Sequence, residues 1–449
     1  MDVKIQQTRR NQVQAKVSVQ NNERYLREQL ACKVSSSHMG LWLLVPELAR
    51  LGTWDLLKGV FRDNTVDPHL AMQMVNESAL CVHRIREKGS LCHQGFSLVN
   101  GLSFLASDES IHHLLDKHTV KDFEDLQKAL LSLRIADGHY STQQVLALDP
   151  HRIESHSQRI MPKKKKRPDL PAKKMMQTFF CADVNTRQPL AFTTAASGKT
   201  CTQATLQLIN IIESSGVKQA LILADKEHFS HEICNYFYKH PGLDMLMPVM
   251  NNKGVVDSFP RLNYRPLWAG YAIAESSFQY KNKPQKFRLL AQREGEVENE
   301  YTYKGFITTS DKDAKELLSH IFPQRWTIEE FFNFEGDMGW NRASTFNLNI
   351  KYGKQTLALI AQAAAYKLRQ KLPKPYRQWT AAMLSEKLFT NMEGDIKVKD
   401  DYIIVTFYRD HEYVNLKNQY NDISSRLERE GICPKIPWLC DYKLKFRFK

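Results

Sequence analysis

The order of the apolar runs between residues 145 and 249 constrains the fold of this chain more than any other feature. Three strand-like runs come first, followed by a helix, a strand, a second helix and a last strand: Val145–Leu148, Thr178–Ala182, Pro189–Thr193, Thr202–Ser214, Ala220–Ala224, Ser230–Tyr238 and Met245–Val249. Neighbouring strands followed by alternating helices and strands are typical of a mixed α/β sheet with buried central strands. The sequence therefore predicts an α/β fold for the middle of the chain.

Regions with other patterns lie on both sides. Residues 1 to about 137 predict an α-helical N-terminal domain. Its helix-like stretches are Ala31–Phe61 (broken near Pro46), Val66–Glu87 and Val120–Arg134. Residues 138–375 would form the α/β domain, with a strand-and-turn insertion at about 251–309. Residues 376–449 predict a small α+β region. Its last residues alternate between apolar and basic, which indicates a half-buried strand with a cationic face.

Two acidic residues follow buried strands of this predicted sheet. Asp149 comes after Val145–Leu148, and Asp225 comes after Ala220–Ala224, so we expect each to end a strand. A carboxylate on rigid backbone at a sheet edge can bind a hard cation or act as a general base. An aspartate at such a position can also be only a turn former or a helix cap. Two of them on strands of one sheet favour the functional interpretation.

A third acid, Glu329, lies in the aromatic segment FPQRWTIEEFF. Pro323 should end or kink the preceding helix, which would begin again just before Arg325. Arg325 and Glu329 are four residues apart and so share one helix face, with Trp326 among the aromatic residues that would anchor it. A surface ion pair is the alternative, but the aromatic surroundings favour a partly buried site.

Three carboxylates that converge on one point suit a pair of divalent cations, Mg²⁺ or Mn²⁺. Paired metals activate a water or hydroxyl and stabilise the leaving oxygen in phosphodiester chemistry. Such a mechanism requires no nucleophilic serine or cysteine.

Two other sites are weaker interpretations. The segment Ala195–Thr200 resembles the end of a phosphate-binding P-loop, but Thr193 stands where that motif requires glycine. We therefore expect no nucleotide cofactor, and Lys199 should be a surface cation. A zinc site at Cys81, His83, Cys92 and His93 would not match the spacing of a standard zinc module, so buried thiols are the better interpretation.

The net charge of +14 favours a polyanionic partner. Half of it lies in residues 159–174, where prolines indicate an extended loop. The basic run consists of Lys163, Lys164, Lys165, Lys166 and Arg167. We expect these residues to contact DNA phosphates. A solvated linker and a nuclear import signal, which the run resembles, remain alternatives.

The sequence argues against a membrane protein. The uncharged window of residues 89–107 is too polar to span a bilayer, and the N-terminus lacks the apolar region of a secretory signal. Eight cysteines without a CxxC pair fit a reducing compartment. We therefore expect a cytoplasmic protein without membrane contact.

From about Gln144 to Leu372 the chain resembles bacterial insertion-sequence DDE transposases. The resemblance rests on Asp149, on Asp225 76 residues later, and on Glu329 a further 104 residues on, after a β-rich insertion. It implies a ribonuclease-H-like mixed sheet with an inserted β subdomain, preceded by an α-helical domain and followed by a small α+β tail.

This family carries a helical signature of Tyr, Arg, Glu and Lys. Arg325 and Glu329 match it, whereas Phe322 replaces the Tyr and Gly336 replaces the Lys. Arg342 or Lys351 would then have to supply the missing charge. In relatives a tryptophan of the insertion stacks on a flipped base. Trp268 is the candidate here, with a core tryptophan as the alternative.

The resemblance implies a DNA transposase that cleaves double-stranded DNA at its element's ends and joins the 3′-hydroxyls to target DNA. This is a cut-and-paste route, with or without a hairpin intermediate. Two copies would pair the ends as a homodimer on the bacterial nucleoid, and residues 1–137 would recognise the ends. Two alternatives stay open: a ribonuclease-H-like nuclease without strand transfer, and a domesticated DNA-binding protein, which the three acids argue against.

Overall fold

A computed structural model describes residues 21–82, 91, 94–140, 144–156, 158, 160–161, 163–165, 169–195, 199–250, 252–340, 345, 347–408 and 414–449. The chain divides into two compact units. One is Leu131–Phe332, and the other combines Met1–Leu130 with Asn333–Lys449. Within the described ranges, no helix combines the length and apolar character that a bilayer-spanning segment needs.

The first part of the chain is helical, as predicted. Its helices are α1 (Asn22–Ala31), α2 (Val45–Arg50), α3 (Thr53–Val60), α4 (Asp67–Ala79), α5 (Gln94–Val99), α6 (Asp108–Asp116) and α7 (Val120–Ala136). The prediction of one helix over Ala31–Phe61 with a single break was wrong. Strand β1 (Val34–Ser36) and a 3₁₀ helix (Met39–Leu44) interrupt it. Serine side chains compete with helical backbone hydrogen bonds, and β1 pairs with a C-terminal strand instead.

The unit 131–332 is built on one mixed sheet. Its first strands and helices are β2 (Gln144–Glu154), β3 (Lys163–Lys164), β4 (Lys173–Asp183), β5 (Gln188–Ala195), α8 (Cys201–Ser214), β6 (Ala220–Ala224), α9 (His231–Lys239) and β7 (Leu243–Pro248). The central order is β5-β4-β2-β6-β7. Here β4 is antiparallel to both β2 and β5, while β2, β6 and β7 are parallel. This arrangement confirms the predicted ribonuclease-H-like mixed sheet.

The predicted β-rich insertion extends this sheet. It contains a short helix and an antiparallel meander: α10 (Lys253–Val256), β8 (Arg265–Trp268), β9 (Tyr271–Gln279), β10 (Lys286–Glu294) and β11 (Thr302–Thr308). The last strand, β11, pairs with β7, with Ile307 opposite Met247. The insertion therefore adds strands beside β7, and the chain leaves and re-enters the core at the same edge.

The segment after the insertion changes helix type three times. A π-helical turn (Glu316–Ile321) is followed by a 3₁₀ helix (Phe322–Trp326), helix α11 (Thr327–Glu335) and a second 3₁₀ turn (Gly336–Met338). Pro323 has no backbone N–H and cannot continue an α-helical hydrogen-bond ladder, so the chain rewinds at this point. The kink was predicted, but the α-helix begins again at Thr327, after Arg325 and not just before it as expected.

The C-terminal part contains a long buried helix and a second sheet. Its elements are α12 (Leu348–Lys371), α13 (Ala381–Leu384), a π-helical turn (Ser385–Phe389), β12 (Gly394–Lys399), β13 (Tyr402–Phe407), α14 (Val414–Tyr420), α15 (Ile423–Arg429), β14 (Lys435–Ile436) and β15 (Tyr442–Phe448). The strand order is β1-β12-β13-β15-β14. The predicted alternating strand at the C-terminus is thus present as β15.

The boundaries of the two compact units differ from the predicted domain boundaries, which are at 137/138 and 375/376. Helix α12 packs against α2, α4 and α6, and so belongs with the N-terminal helices. At Gly353 the approach is close, since an added Cβ would lie 2.7 Å from both Leu115 and Phe123. The sequence places α12 after α11 but gives no indication of its packing partner. The functional division into three domains stays a prediction.

Candidate active site

The parallel pairing of β2 and β6 places Asp149 and Asp225 at the same level of the sheet. The pairing ends with Leu148 opposite Ala224, and the two aspartates are the next residues on each strand. Asp225 ends β6, as predicted. The expectation that Asp149 also ends its strand was wrong, because β2 continues to Glu154, paired only with β4. Asp149 is therefore held within a strand, opposite Phe180.

The turn that contains Pro323 brings Arg325 to Asp149. Arg325 is buried, and its Nη1 donates a hydrogen bond to Oδ1 of Asp149 at 3.3 Å. Arg325 lies in the 3₁₀ helix, whereas Glu329 lies in the first turn of α11, so the expected single helix face is formed across two helix types.

Aromatic packing holds α11 on the sheet. The rings of Phe331 and Phe332 lie 5.5 and 5.4 Å from that of Phe180, and Phe332 also contacts the ring of His151. Trp326, expected among the anchors, is 60% exposed instead. A tryptophan in a 3₁₀ turn points away from the face that α11 buries, and the sequence spacing alone did not show this.

The three carboxylates form one electrostatic site. Burial raises the pKa of Asp149 to about 7, with Arg325 opposing the shift and the charges of Glu329 and Asp225 adding to it. Burial also raises the pKa of Glu329, again opposed by Arg325 and reinforced by Asp225. Ionisation of these buried carboxylates is therefore less favourable than it would be in water.

The donor set fits divalent cations, although it is not assembled into a binding geometry. In the part of the chain that the structure describes, no three His, Cys, Asp or Glu side chains are grouped closely enough to hold a metal ion. Three carboxylates are nevertheless hard oxygen donors, and their mutual repulsion is what a cation would relieve. Closing the site would require side-chain rotation around Asp149, Asp225 and Glu329.

An ion pair that no sequence pattern indicated joins the two aspartate-bearing segments. Arg152, three residues after Asp149, donates a hydrogen bond through Nη2 to Oε2 of Glu227, two residues after Asp225. Arg152 also opposes the raised pKa of Asp149. The pair can be recognised only once β2 is known to continue beyond Asp149, which is why the predicted strand end concealed it.

The residues after Asp225 hold its carboxylate in place. Oδ1 of Asp225 accepts a hydrogen bond of 2.7 Å from the backbone N–H of Lys226, so Asp225 also caps the following 3₁₀ turn. His228 in that turn is buried beside the hydroxyl of Thr205, 2.8 Å from its Nδ1. Burial lowers the pKa of His228 to about 4, so the ring is neutral.

The predicted DNA-contacting residues are spread over several places. Lys163 and Lys164 form β3 and pair with Lys174 and Lys173, so this part of the expected loop is a short strand. Lys163 and Lys165 are exposed, whereas Lys166, Arg167 and Arg342 lie outside the described residues.

Trp268 is not a core residue. Its side chain is 50% exposed, and its ring stacks on that of Tyr271 at 4.5 Å. Lys351, the other substitute suggested for the signature lysine, is buried in α12, and burial lowers its pKa to about 8.

The rival phosphate-loop interpretation is not supported by the contacts around it. Nζ of Lys199 donates to the hydroxyl of Thr193 at 2.9 Å and to Gln207, and Thr200 caps α8 through a capping box with Gln203. These groups satisfy one another. Of the rejected zinc set, burial raises the pKa of the Cys81 thiol, and the remaining three residues lie outside the described ranges.

Comparison with known proteins identifies the family. The family described as "Transposase DDE domain" matches residues 140–366, just over half of the chain. No curated protein matches. Among solved structures, a cryo-EM structure of the piggyBac transposase synaptic complex with hairpin DNA is similar, with 11% sequence identity, a TM-score of 0.41, and coverage of 80% of this chain and 82% of that one. DDE transposases act on DNA and generally use divalent metal ions. The chain belongs to the DDE-domain transposases and is a DNA transposase.

Proposed function

We propose that Asp149, Asp225 and Glu329 hold two divalent cations, Mg²⁺ or Mn²⁺, with which this transposase cuts and rejoins DNA. One observation carries the proposal: the charges of all three carboxylates act on one another at the level where β2 and β6 cease to be paired. A bound cation would offset the burial that raises the pKa of Asp149.

The residues around the carboxylates have distinct roles. Cations held by Asp149, Asp225 and Glu329 would supply Lewis acidity for phosphodiester chemistry. The sheet fixes Asp149 and Asp225, and α11 brings Glu329 to them. The hydrogen bond from Arg325 to Asp149, at 3.3 Å, supports Arg325 as a group that orients Asp149. Because Arg325 matches the arginine of the family signature, we also propose that it contacts a DNA phosphate.

The reaction follows from this site in two chemical steps. Water attacks a phosphodiester at each element end, the bond to the 3′ oxygen breaks, and a 3′-hydroxyl is released. That hydroxyl then attacks a target phosphodiester, forming a new bond to its phosphorus while the target's own 3′ oxygen leaves. We propose a cut-and-paste route, in which the second strand is cut through a hairpin or by a separate hydrolysis.

Basic residues outside the carboxylate site would hold the DNA. We propose phosphate contacts for the run Lys163–Arg167 and for Arg342, and end recognition by residues 1–137. Exposed lysines in and after β3 support the first assignment. Binding should therefore weaken steeply with salt.

We also propose that two copies act together as a homodimer on DNA, in the cytoplasm of a bacterial cell. An element has two ends, and each requires one set of carboxylates, so a symmetric pair is the simplest assembly. Sedimentation with and without end DNA would test this.

Substitution of each acid tests the metal site. Asp149→Asn, Asp225→Asn and Glu329→Gln should each abolish Mg²⁺-dependent cleavage while DNA binding persists. Asp244→Asn is the matched control, because Asp244 lies on neighbouring β7 at the opposite edge and its Oδ1 accepts a hydrogen bond from Thr309 that asparagine retains. Full activity in any one acid variant would remove that residue from the set.

A pre-cut end separates the transposase from the plain nuclease. Supplied with a cleaved end that carries a free 3′-hydroxyl, the wild-type protein should join it to a plasmid, and Asp225→Asn should not. Cutting without joining would favour the nuclease. DNA binding with neither activity would favour the domesticated binder.

A further inference from the structure

The C-terminal sheet has one apolar face and one basic face. On β15, Leu444, Phe446 and Phe448 are buried, whereas Lys445 and Arg447 between them are exposed. The rings of Phe446 and Phe448 pack against Phe407 at 5.7 and 5.1 Å. The chain itself thus covers the apolar face, and the alternate residues project from the other side.

The strand register collects further basic residues on that second side. Ile404 of β13 is paired with Lys397 of β12 and with Lys445 of β15, and directly paired residues project from the same face. Tyr402 is likewise paired with Lys399 and Lys443. On the far side of β15, Lys435 of β14 is opposite Lys443. We define the basic face as Lys397, Lys399, Lys435, Lys443, Lys445 and Arg447.

Acidic residues reduce this charge only in part. Asp395, on the same side of β12, lies 3.3 Å from Lys33 and accepts a hydrogen bond from Tyr408. Glu428 lies 3.6 Å from Lys443. Asp400 and Asp401, in the turn between β12 and β13, limit the face at one end. The charge that remains is positive and lies mainly along β12 and β15.

The basic face is carried by neighbouring strands of one sheet. Ile404, at its centre, is only 3% exposed although Lys397 and Lys445 beside it are exposed. Lysine stems are long enough to cover an apolar neighbour while their ammonium groups stay in water. Because β12 and β15 are separated by one strand, their two columns of charge lie about 10 Å apart on fixed backbone. Such an array favours a partner with regularly repeated negative charge.

We propose that the basic face binds the phosphate backbone of double-stranded DNA, as a contact outside the carboxylate site. The proposal rests on the transposase function above. Five of its six residues are lysines, which act on phosphates as point charges, and phosphate contacts position DNA without reading its sequence. The face therefore suits target DNA, which is bound without regard to sequence.

Charge removal on β15 tests the proposal. Binding of a random-sequence duplex is measured by fluorescence anisotropy over a series of salt concentrations for the double variant Lys445→Gln/Arg447→Gln. Each phosphate contact contributes about 0.9 to the slope of log K against log salt, so the slope should fall by about 2 and affinity should decrease. The matched control is Lys218→Gln/Lys239→Gln, two exposed lysines at the edge of the mixed sheet opposite the carboxylates, which should leave the slope unchanged.

A second double variant, on β12, tests the basic face independently of any misfolding that the β15 substitutions cause. Lys397→Gln/Lys399→Gln should lower the slope by a similar amount, and circular dichroism would confirm that each variant is folded. A slope equal to that of the wild type, or an equal fall in the control, would overturn the proposal. So would a change in sedimenting mass without a change in slope, because the face would then bind a second copy.

Different results would contradict the DNA contact of the basic face and the proposed transposase function. If the wild-type protein cuts ends and joins them but the β15 variant binds duplex DNA with an unchanged slope, only the inference fails. If the wild type neither cuts nor joins, the proposed function fails whatever the slope. If the transposase function and the DNA contact of the basic face are both correct, the β15 variant should still cleave element ends. It should join a pre-cut end to plasmid less efficiently than the control variant does.

Discussion

Asp149 is the residue at which function most plainly opposes stability. Its carboxylate is buried near two other acids, and only Arg325 and Arg152 compensate for it. In the absence of a cation such a group makes the folded state less stable than one with a neutral side chain. Destabilised active sites are a general feature of enzymes that bind charged ligands.

This predicts a stabilising effect for Asp149→Asn without metal. The pKa of Asp149 is about 7 when folded, against about 3.9 in an unfolded chain, so its contribution to stability is lost as pH rises from about 4 to 7. In EDTA at pH 8 the variant should be more stable by up to about 4 kcal/mol, and at pH 4 the difference should vanish. Urea unfolding at both pH values measures it.

A control substitution and the addition of metal test the same explanation of the stability change. Asp244→Asn is the control substitution, because Asp244 lies at the other end of the sheet from the three carboxylates. Added Mg²⁺ should stabilise the wild type more than Asp149→Asn, because binding to the folded state alone raises stability. A variant that is less stable than the wild type at pH 8 in EDTA would contradict the electrostatic account of the site.

The ion pair between Arg152 and Glu227 leads to a second prediction, which concerns the Mg²⁺ requirement of cleavage. Because the pair links the segments that carry Asp149 and Asp225, Arg152→Gln or Glu227→Gln should raise the Mg²⁺ concentration needed for half-maximal cleavage by about 10- to 100-fold. The double variant should be no worse than the more damaged single variant, since each change breaks the same contact. Unchanged DNA affinity distinguishes this role from a DNA contact. A lost affinity with an unchanged Mg²⁺ requirement would contradict it.

Among the elements, the β8–β9 hairpin carries the next prediction. Trp268 is half exposed, with one ring face against Tyr271, so the other is accessible to a flipped base. Trp268→Ala should reduce cleavage at element ends by about 10-fold or more, since base stacking on an aromatic ring contributes about 1–3 kcal/mol. Trp268→Phe should restore part of it. Tyr238→Ala, at another exposed aromatic residue, should have no effect.

A fluorescent adenine analogue next to the cleavage site gives an independent measurement. Its emission should rise when the base leaves the stack and should fall again when Trp268 stacks on it. If Trp268→Ala and the wild type give the same signal and the same cleavage rate, Trp268 has no part in base flipping.

The elements also show what sequence can and cannot predict. Strand β6 has the predicted bounds because a continuous apolar run can be satisfied only in the centre of a sheet. Strand β2 was predicted too short because its apolar run stops at Leu148, whereas pairing with β4 continues the strand to Glu154. Pro323 indicated that the preceding helix would end or kink, but not that a 3₁₀ helix would follow, and the exposure of Trp326 depends on packing that no local pattern encodes.

For the whole molecule, composition and element order predicted the class of fold but not how its parts associate. The mixed sheet and the insertion followed from strand spacing. The association of α12 with α2, α4 and α6 depends on contacts between residues far apart in sequence, which one sequence does not contain. The three acids were proposed from local patterns, namely apolar runs followed by aspartate and helical spacing, whereas the pair between Arg152 and Glu227 could not be proposed in this way because it depends on register.

The pairing of β7 with β11 explains how a long insertion can lie between Asp225 and Glu329. Pro248 and Phe306 are directly paired, so the chain re-enters the sheet beside the strand from which the insertion begins. The strands beyond that junction can lengthen, shorten or be exchanged during evolution without altering the position of Asp225 relative to Glu329.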